Sequence, residues 1–317
     1  MNVVQITRTK RPVLRIGHSP DPDDAFMWYP LANFPDGSGP GGRSYRPAID
    51  TGSYDFVHVL EDIQQLNERA ERAELEITAL SIHQYPYVAP HYALTHCGAS
   101  MGDGYGPMVI VPKGSRITID DLPEITLAIP GYRTSAILAL SLLLLDRGRA
   151  NYLRDGNHEM VLFDQIIPKV AGGEYDAGLI IHEGQLTYAD AGLECLVDLG
   201  KWWTDSRGLP LPLGGNAIRR DLGDQMPHIC SILLRSIHHA LDHRDEAVNY
   251  AQHYARDMGA ELAEQFVGMY VNQWTLDYGH RGRAAIDRFL REAADAELVP
   301  DYGEVDFVEA DCGEDGT

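Results

Sequence analysis

The stretch ITLAIPGYRTSAILALSLLLLDRG, residues 125–148, contains the two kinds of element from which the fold is built. ITLAI is a short apolar run typical of a buried strand, and the strongly apolar segment after Thr134 has the length and composition of a helix. Gly131 permits a turn between them, and Thr134 or Ser135 can cap the helix. The stretch therefore predicts a strand followed directly by a helix, as in an α/β protein.

The same alternation recurs along the first two thirds of the chain. VLRIGHS precedes DDAFMWYPLAN, YDFVHVL precedes EDIQQLNERAERA, and LEITALS and GPMVIVP are further strand-like runs. The segment that begins DQMPHICSILL becomes helical and remains so to about Leu298. The Gly-rich piece at residues 34–47 predicts a flexible surface loop. These patterns predict an α/β fold with largely parallel sheets, in which the sheets come first and the helices last.

Two breaks in the pattern predict the domain organisation. Turn and charged residues separate two strand runs at residues 111–124, and a Pro/Gly-rich segment returns the chain at residues 209–218. Two crossings indicate one lobe inserted into another, with a ligand-binding cleft between them. The expected large lobe is built from residues 1–112 and 217–317, and the expected small lobe is residues 113–216.

Composition and charge exclude several classes of partner. The 317 residues carry 26 Lys and Arg against 47 Asp and Glu, a formal net charge of -21. This charge argues against a nucleic acid or an anionic membrane surface as the main ligand. No run approaches the length of a membrane span, and the N-terminal residues lack the apolar stretch of a signal peptide, so we expect a cytoplasmic protein. The oligomeric state is left open.

The cysteines show no metal-binding or disulfide pattern. Cys97, Cys195, Cys230 and Cys312 are far apart in sequence, and none belongs to a CxxC or a Cys/His spacing. The sequence therefore predicts free thiols, no bound metal and no cofactor. GxGxxG, P-loop, GxSxG and HExxH motifs are also missing, which argues against dinucleotide, nucleoside triphosphate, serine-hydrolase and zinc-protease chemistry.

Small hydroxyl residues stand at three predicted strand-to-helix junctions. Ser19 follows VLRIGH, Ser81 follows ITAL, and Thr134 and Ser135 follow the turn at Gly131. Helix starts offer backbone N–H groups and a favourable dipole to an anion. The three junctions together predict a cradle for a carboxylate, although each hydroxyl alone is equally explained as a helix cap.

Three aspartates follow the first junction. Asp21, Asp23 and Asp24 suit a helix cap and first turn, and they are also candidates for lining the cleft. A metal site there is a weaker alternative, because no histidine follows at ligand spacing.

His182 is the candidate catalytic residue. It follows the apolar run AGLII, so it is expected at a strand end facing the cleft, where an imidazole titrates near neutral pH and can accept a proton. Glu183 is a candidate for orienting it. Most other histidines are interpreted as structural. Trp202 and Trp203 have two open interpretations, an aromatic wall of the cleft or packing against the core.

Several segments resemble one known family. SPDPDDAF, YRTSA, FDQIIPKVAGGEYDAGLIIHEGQLTY, LVDLGKWW, GLPLPLGGNAIRRDLG and YVNQWTLDYG are similar, in this order, to the 1,4-dihydroxy-6-naphthoate synthases of the futalosine route to menaquinone. The resemblance covers residues 14–298. It implies the type 2 periplasmic-binding-protein-like fold, in which two α/β lobes enclose the ligand.

The resemblance also implies an activity. Such a protein is a carbon-carbon lyase that converts cyclic dehypoxanthine futalosine, an anionic small molecule, into 1,4-dihydroxy-6-naphthoate without a cofactor. Its catalytic histidine falls on His182, which is expected to act as general base. Its substrate-binding positions fall on the following residues: Ala79, Leu80, Ser81, Thr134, Ser135 and Ala136. The chain departs from the family where SPDPDDAF replaces the usual SPCPNDTF, and where Ala79 replaces a lysine.

Two alternatives stay open at this point. A solute-binding protein for a small organic acid shares the fold, and chorismate dehydratase is an enzyme of similar fold in the same pathway. Turnover of the expected substrate distinguishes the first, and formation of 3-enolpyruvylbenzoate from chorismate distinguishes the second.

Overall fold

Two β-sheets and the helices packed against them organise the chain. The computed structural model describes residues 11–149, 151–182, 184–254 and 260–311. The strands are β1 Val13–His18, β2 Phe34–Gly39, β3 Arg43–Tyr45, β4 Asp55–Leu60, β5 Ile77–Ser81, β6 Tyr92–Thr95, β7 Ser100–Gly102, β8 Met108–Pro112, β9 Leu127–Ile129, β10 His158–Met160, β11 Ala177–Ile180, β12 Leu193–Asp198, β13 Leu211–Arg219 and β14 Phe307–Val308.

The helices alternate with strands at first and then follow one another towards the C-terminus. They are α1 Pro22–Trp28, α2 Ile63–Glu71, α3 Tyr85–Val88, α4 Ser135–Asp146, α5 Tyr152–Asp155, α6 Ile166–Ala171, α7 Gly184–Thr187, α8 Leu199–Arg207, α9 Met226–Asp242, α10 Arg244–Ala251, α11 Ala260–Tyr270, α12 Gln273–Leu276 and α13 Gly279–Asp295. Short 3-10 turns lie at Tyr29–Leu31, Pro40–Gly42, Ile82–Gln84, Ile119–Asp121, Phe163–Gln165, Tyr188–Ala191 and Arg220–Gln225. The expected order, sheets first and helices last, is confirmed.

Both main sheets are mixed. The seven-stranded sheet has the order β14-β6-β13-β5-β1-β4, and β7 also pairs with β13. In it β1 runs parallel to β4 and β5, whereas β13 runs antiparallel to β5, β6 and β7. The five-stranded sheet has the order β10-β9-β11-β8-β12, with β9 parallel to its neighbours and β8 antiparallel to its own. The α/β class with two lobes is therefore confirmed. The expectation of largely parallel sheets is wrong, because β8 and β13, the strands that follow the two crossings, run antiparallel to their neighbours.

The chain crosses between the sheets twice. β7 ends at Gly102 in one sheet and β8 begins at Met108 in the other, and the return lies between Asp198 and Leu211. Each crossing lies a few residues before the lobe limit expected from the sequence, because β8 belongs to the smaller sheet and β13 to the larger one. The extent of each lobe as an independent unit stays a prediction.

Helix α4 is buried in the centre of the molecule. Its residues from Ser135 to Leu144 are buried, and it contacts both β11 of the five-stranded sheet and β13 of the seven-stranded sheet. Each fully buried leucine contributes about 1.5–3 kcal/mol relative to an exposed one. Burial of this apolar helix therefore holds its start between the two sheets.

Two local expectations have clear outcomes. Residues 34–47 are not simply a loop, because β2 and β3 pair antiparallel and the rings of Phe34 and Tyr45 meet at 6.4 Å between centroids. Trp203 is fully buried against Phe289, 5.3 Å between ring centroids, which favours core packing over a wall of the cleft.

The cysteines and helices of the described residues bear on two further expectations. Cys97, Cys195 and Cys230 are free thiols, as predicted, and Cys312 lies outside the described residues. None of the helices in the described ranges has both the length and the apolar character needed to cross a membrane.

Candidate active site

A cavity opens where elements of both sheets meet. β5, β13 and the start of α1 contribute from the side of the larger sheet, and the start of α4 and Ile181 contribute from the side of the smaller one. The cavity has a volume of about 120 Å³. Every predicted substrate-contact residue lines it: Ser19, Ala79, Leu80, Ser81, Thr134, Ser135 and Ala136.

The start of α4 presents backbone N–H groups to the cavity. Thr134 is the N-cap, and its Oγ1 accepts from the N–H of Ile137 at 3.5 Å and donates to the carbonyl of Gly131 at 3.0 Å. The N–H groups of the first helical turn have no acceptor within the helix, so Ser135 and Ala136 can offer theirs to a ligand. With the dipole of a twelve-residue helix behind them, these groups favour an anion.

Ser81 is held in place by Asn67 from α2. The Asn67 side chain donates to Ser81 Oγ at 3.0 Å and accepts from the Ser81 N–H at 3.0 Å, and it is also 3.4 Å from the carbonyl oxygen of Arg133. One buried amide thus joins the end of β5 to the turn before α4. Since Ser81 Oγ accepts from Asn67, its own proton remains available for a ligand oxygen.

Ser135 and His83 form a second link across the same junction. The N–H of His83 donates to Ser135 Oγ at 3.2 Å, and Ser135 Oγ donates to the carbonyl of Leu213. His83 Nδ1 lies 3.0 Å from the carbonyl of Thr134. Burial lowers the pKa of His83 to about 3, so its ring is neutral. This arrangement agrees with a structural role for His83. The proton of the Ser135 hydroxyl is already engaged in a hydrogen bond within the protein.

The aspartates at the start of α1 place carboxyl groups in the cavity wall. Asp24 accepts from the N–H of Ser19 at 2.8 Å, and the Asp21 N–H donates to Ser19 Oγ at 2.9 Å. Burial, followed by the charges of Asp24 and Asp21, raises the pKa of Asp23 well above its usual range, and burial raises the pKa of Asp24 to about 7. In the described residues these carboxylates do not converge as a metal site. Both turn-forming and cleft-lining roles therefore apply.

His182 lies beside the cavity rather than on its wall. It is buried, follows β11, and lines a small adjoining pocket that shares Ser19, Asp21 and Ile181 with the main cavity. Its ring packs edge-on against Phe163, with 4.9 Å between ring centroids. Glu183, the predicted orienting residue, lies outside the described residues.

The hydrogen bonds of His182 fit a neutral ring. Nε2 lies 2.8 Å from the carbonyl oxygen of Phe163, which can only accept, and Nδ1 accepts from the N–H of Gly184 at 3.0 Å. This pair of contacts fits a proton on Nε2 and a lone pair on Nδ1. A base acting in this state would take its proton at Nδ1.

Asn216 of β13 is a site residue that the sequence did not indicate. It is buried in the cavity wall, its amide nitrogen donates to the carbonyl of Gly98 at 2.9 Å, and its amide oxygen has no partner among the described residues. A buried acceptor of this kind suits a hydroxyl group of a ligand. The only sequence signal was the Pro/Gly-rich return segment, which indicated a turn rather than a polar contact.

The cavity offers an anion dipoles rather than full positive charges. None of the described residues that line it is Lys or Arg. Arg133 is nearby, but its guanidinium stacks over the ring of Tyr87 at 3.8 Å and lies 3.8 Å from a Glu71 oxygen. The lining combines donors at α4 and Ser81 with the acids Asp23 and Asp24, so a ligand that carries both a carboxylate and hydroxyl groups fits it.

Comparison with known proteins relates this chain to one family. The family described as menaquinone biosynthesis matches residues 14–295. A 1,4-dihydroxy-6-naphthoate synthase from Thermus thermophilus is 37% identical over 281 residues, which cover 88% of this chain and 93% of that protein. A protein of the same name from Streptomyces coelicolor is 36% identical over 293 residues, covering 92% and 96%.

Solved structures show the same fold. A crystal structure of a protein from Archaeoglobus fulgidus is 39% identical with a TM-score of 0.77, covering 90% of this chain and 98% of that one. The alkanesulfonate-binding protein from Xanthomonas axonopodis, solved with MOPS, has a TM-score of 0.64 at 14% identity, covering 94% and 98%. The second likeness concerns the fold alone, and it confirms the periplasmic-binding-protein-like architecture.

Proposed function

Because the chain belongs to the menaquinone-biosynthesis family, we propose that it is a carbon-carbon lyase that converts cyclic dehypoxanthine futalosine into 1,4-dihydroxy-6-naphthoate. The observation that carries the proposal is the convergence of the substrate-contact residues on one cavity with His182 in the adjoining pocket. A binding protein needs the cavity, whereas only a reaction needs a proton acceptor beside it.

The proposed binding mode follows from the polarity of the cavity. The carboxylate of the substrate lies against the first N–H groups of α4 and the Ser81 hydroxyl, where dipoles favour a negative charge. The sugar-derived hydroxyl groups face Asn216 and the carboxyls of Asp23 and Asp24. In their protonated forms these carboxyls donate hydrogen bonds and do not repel an anionic ligand.

The proposed chemistry begins at His182. Its neutral ring removes a proton from the ring-fused sugar portion, and the carbon-carbon bond breaks in a retro-aldol manner. The sugar-derived fragment is released, and the formation of an aromatic ring in the remaining part drives the reaction. A general base of this kind contributes about 10²–10⁴-fold to the rate. Closure of the lobes around the substrate positions it and excludes water. The chain is further proposed to act in the cytoplasm on this small molecule.

The decisive experiment combines the candidate substrate with a His182 variant. We expect the purified protein to release 1,4-dihydroxy-6-naphthoate, detected by chromatography, and His182→Asn to lower kcat by about 10²–10⁴-fold while retaining substrate binding. His158→Asn is the matched control, because this partly buried histidine of β10 lies outside both pockets. Unchanged turnover in His182→Asn would remove His182 from the mechanism.

The two alternative functions predict different results. A solute-binding protein would bind the substrate in calorimetry without forming product. A chorismate dehydratase would convert chorismate into 3-enolpyruvylbenzoate and leave cyclic dehypoxanthine futalosine intact.

A further inference from the structure

Three potential metal ligands from two distant segments of the chain meet behind the wall of the cavity. His96 and Cys97 follow β6, and Cys230 lies on α9. All three residues are buried, and their ligand atoms lie within 4.8 Å of one another. Among the described residues this is the one group of three or more His, Cys, Asp or Glu side chains that converges in this way.

The distances suit a tetrahedral ion. Zinc bonds of about 2.3 Å to sulfur and about 2.0 Å to nitrogen place neighbouring ligand atoms about 3.5–3.8 Å apart. Cys230 Sγ and His96 Nδ1 are 3.4 Å apart. The carbonyl oxygen of Val308 lies 3.2 Å from His96 Nδ1 and 3.3 Å from Cys230 Sγ, so an oxygen already faces the fourth corner. Small side-chain shifts are enough to complete the coordination.

The charges also suit a divalent cation. Two thiolates and a neutral imidazole around a doubly positive ion give a neutral buried group, whereas two buried thiolates without a cation would repel each other. Both thiols lose their protons when a metal binds.

We propose that His96, Cys97 and Cys230 form a binding site for a soft or borderline transition-metal ion such as Zn²⁺, with the Val308 carbonyl at the fourth position. Binding replaces the two thiol protons, which are released, and it forms two S–Zn bonds, one N–Zn bond and one O–Zn bond. The ion joins the segment after β6, helix α9 and strand β14, which come from distant parts of the chain.

The site has a structural consequence for the cavity. Cys97 precedes Gly98, whose N–H donates to the carbonyl of Thr275 at 2.6 Å and whose carbonyl accepts from Asn216. Gly98 and Asn216 both line the cavity. A metal bound to Cys97 therefore fixes the backbone behind the substrate-contact wall. The metal is structural, and the inference does not depend on the proposed lyase activity.

The test measures metal directly. The reduced full-length chain is incubated with Zn²⁺, desalted and analysed for zinc by mass spectrometry. We expect about one zinc per chain in the wild type and in the control Cys195→Ser, and a loss of at least tenfold in Cys97→Ser and Cys230→Ser. Bound Zn²⁺ should also raise the Tm of the wild type and of the control.

A second measurement needs no substitution of a ligand. Co²⁺ added to the wild-type chain should give the intense visible bands of a tetrahedral site and a near-ultraviolet sulfur-to-cobalt band, and Zn²⁺ should abolish both. The proposal is overturned if the wild type takes up no zinc, if Cys97→Ser and Cys230→Ser retain it, or if cobalt shows only the weak bands of an octahedral ion. A Cys97–Cys230 disulfide that persists in place of metal uptake would also overturn it.

Discussion

Replacing Asp24 by asparagine should make the protein more stable at alkaline pH. Burial raises the pKa of Asp24 from its ordinary value of 3.8 to about 7. Between these values the unfolded chain has lost the proton and the folded chain has kept it, so stability falls as pH rises from about 4 to about 7 and then levels off. Asparagine has no proton to lose, and its amide oxygen can still accept from the Ser19 N–H.

The size of the effect follows from the two pKa values. They correspond to about 2.6 kcal/mol of folding free energy lost between pH 5 and pH 8. Asp24 is not completely shielded from solvent, and screening reduces the expected difference to about 1–2.5 kcal/mol. Removing the Asp24 charge also relieves its repulsion of Asp23, which acts in the same direction.

Urea unfolding followed by circular dichroism at pH 5 and pH 8 measures this difference. We expect the stability of Asp24→Asn relative to the wild type to increase by about 1–2.5 kcal/mol from the lower to the higher pH. Asp36→Asn is the control, because hydrogen bonds from Ser38 lower the pKa of this exposed carboxyl and its contribution has the opposite sign. An Asp24→Asn difference that is constant or decreases with pH would refute a buried, protonated Asp24.

Two further substitutions test the walls of the cavity. Gly98→Ala should destabilise the protein by about 1–3 kcal/mol more than Gly104→Ala in urea unfolding. Both glycines have positive φ, 81° and 86°, but only at Gly98 would the new Cβ approach Asn216 Nδ2, to 2.5 Å. Equal losses of stability in the two variants would contradict this clash. Asn67→Ala should cost about 2–4 kcal/mol and raise KM, because two hydrogen bonds to Ser81 are lost and buried polar groups are left unpaired. Wild-type stability and KM in Asn67→Ala would show that Asn67 does not position Ser81.

Local sequence predicted the elements well where one segment determines its own structure. The stretch at residues 125–148 forms β9 and α4 as expected, because an apolar run, a glycine turn and a capping hydroxyl are all local signals. The direction of β13 has no such signal. It runs antiparallel to β5 only because the chain returns from the other sheet, and this return also moves the lobe limits. Pairing between distant segments decides these features.

The site was predictable to a similar extent. Hydroxyl residues at strand ends were expected to meet, since the carboxyl ends of parallel strands share one edge of a sheet, and Ser19 and Ser81 do line one cavity. Asn216 reaches the same cavity from the antiparallel strand β13, so no motif at a strand-to-helix junction predicts it. The cluster of His96, Cys97 and Cys230 was missed for a related reason, because Cys230 on α9 lies 134 positions after His96.

The state of His182 sets a physical requirement for the proposed reaction. Once Nδ1 has taken a proton, it can no longer accept from Gly184, and two N–H groups would point at each other. The charged ring then needs an acceptor at Nδ1. The pocket that holds His182 is also lined by Asp21 and Asp62, whose carboxylates are the candidate acceptors. A solute-binding protein does not need such an acceptor, because it removes no proton from its ligand. Product formation by the wild type and its loss in His182→Asn would therefore distinguish the two functions that share this fold.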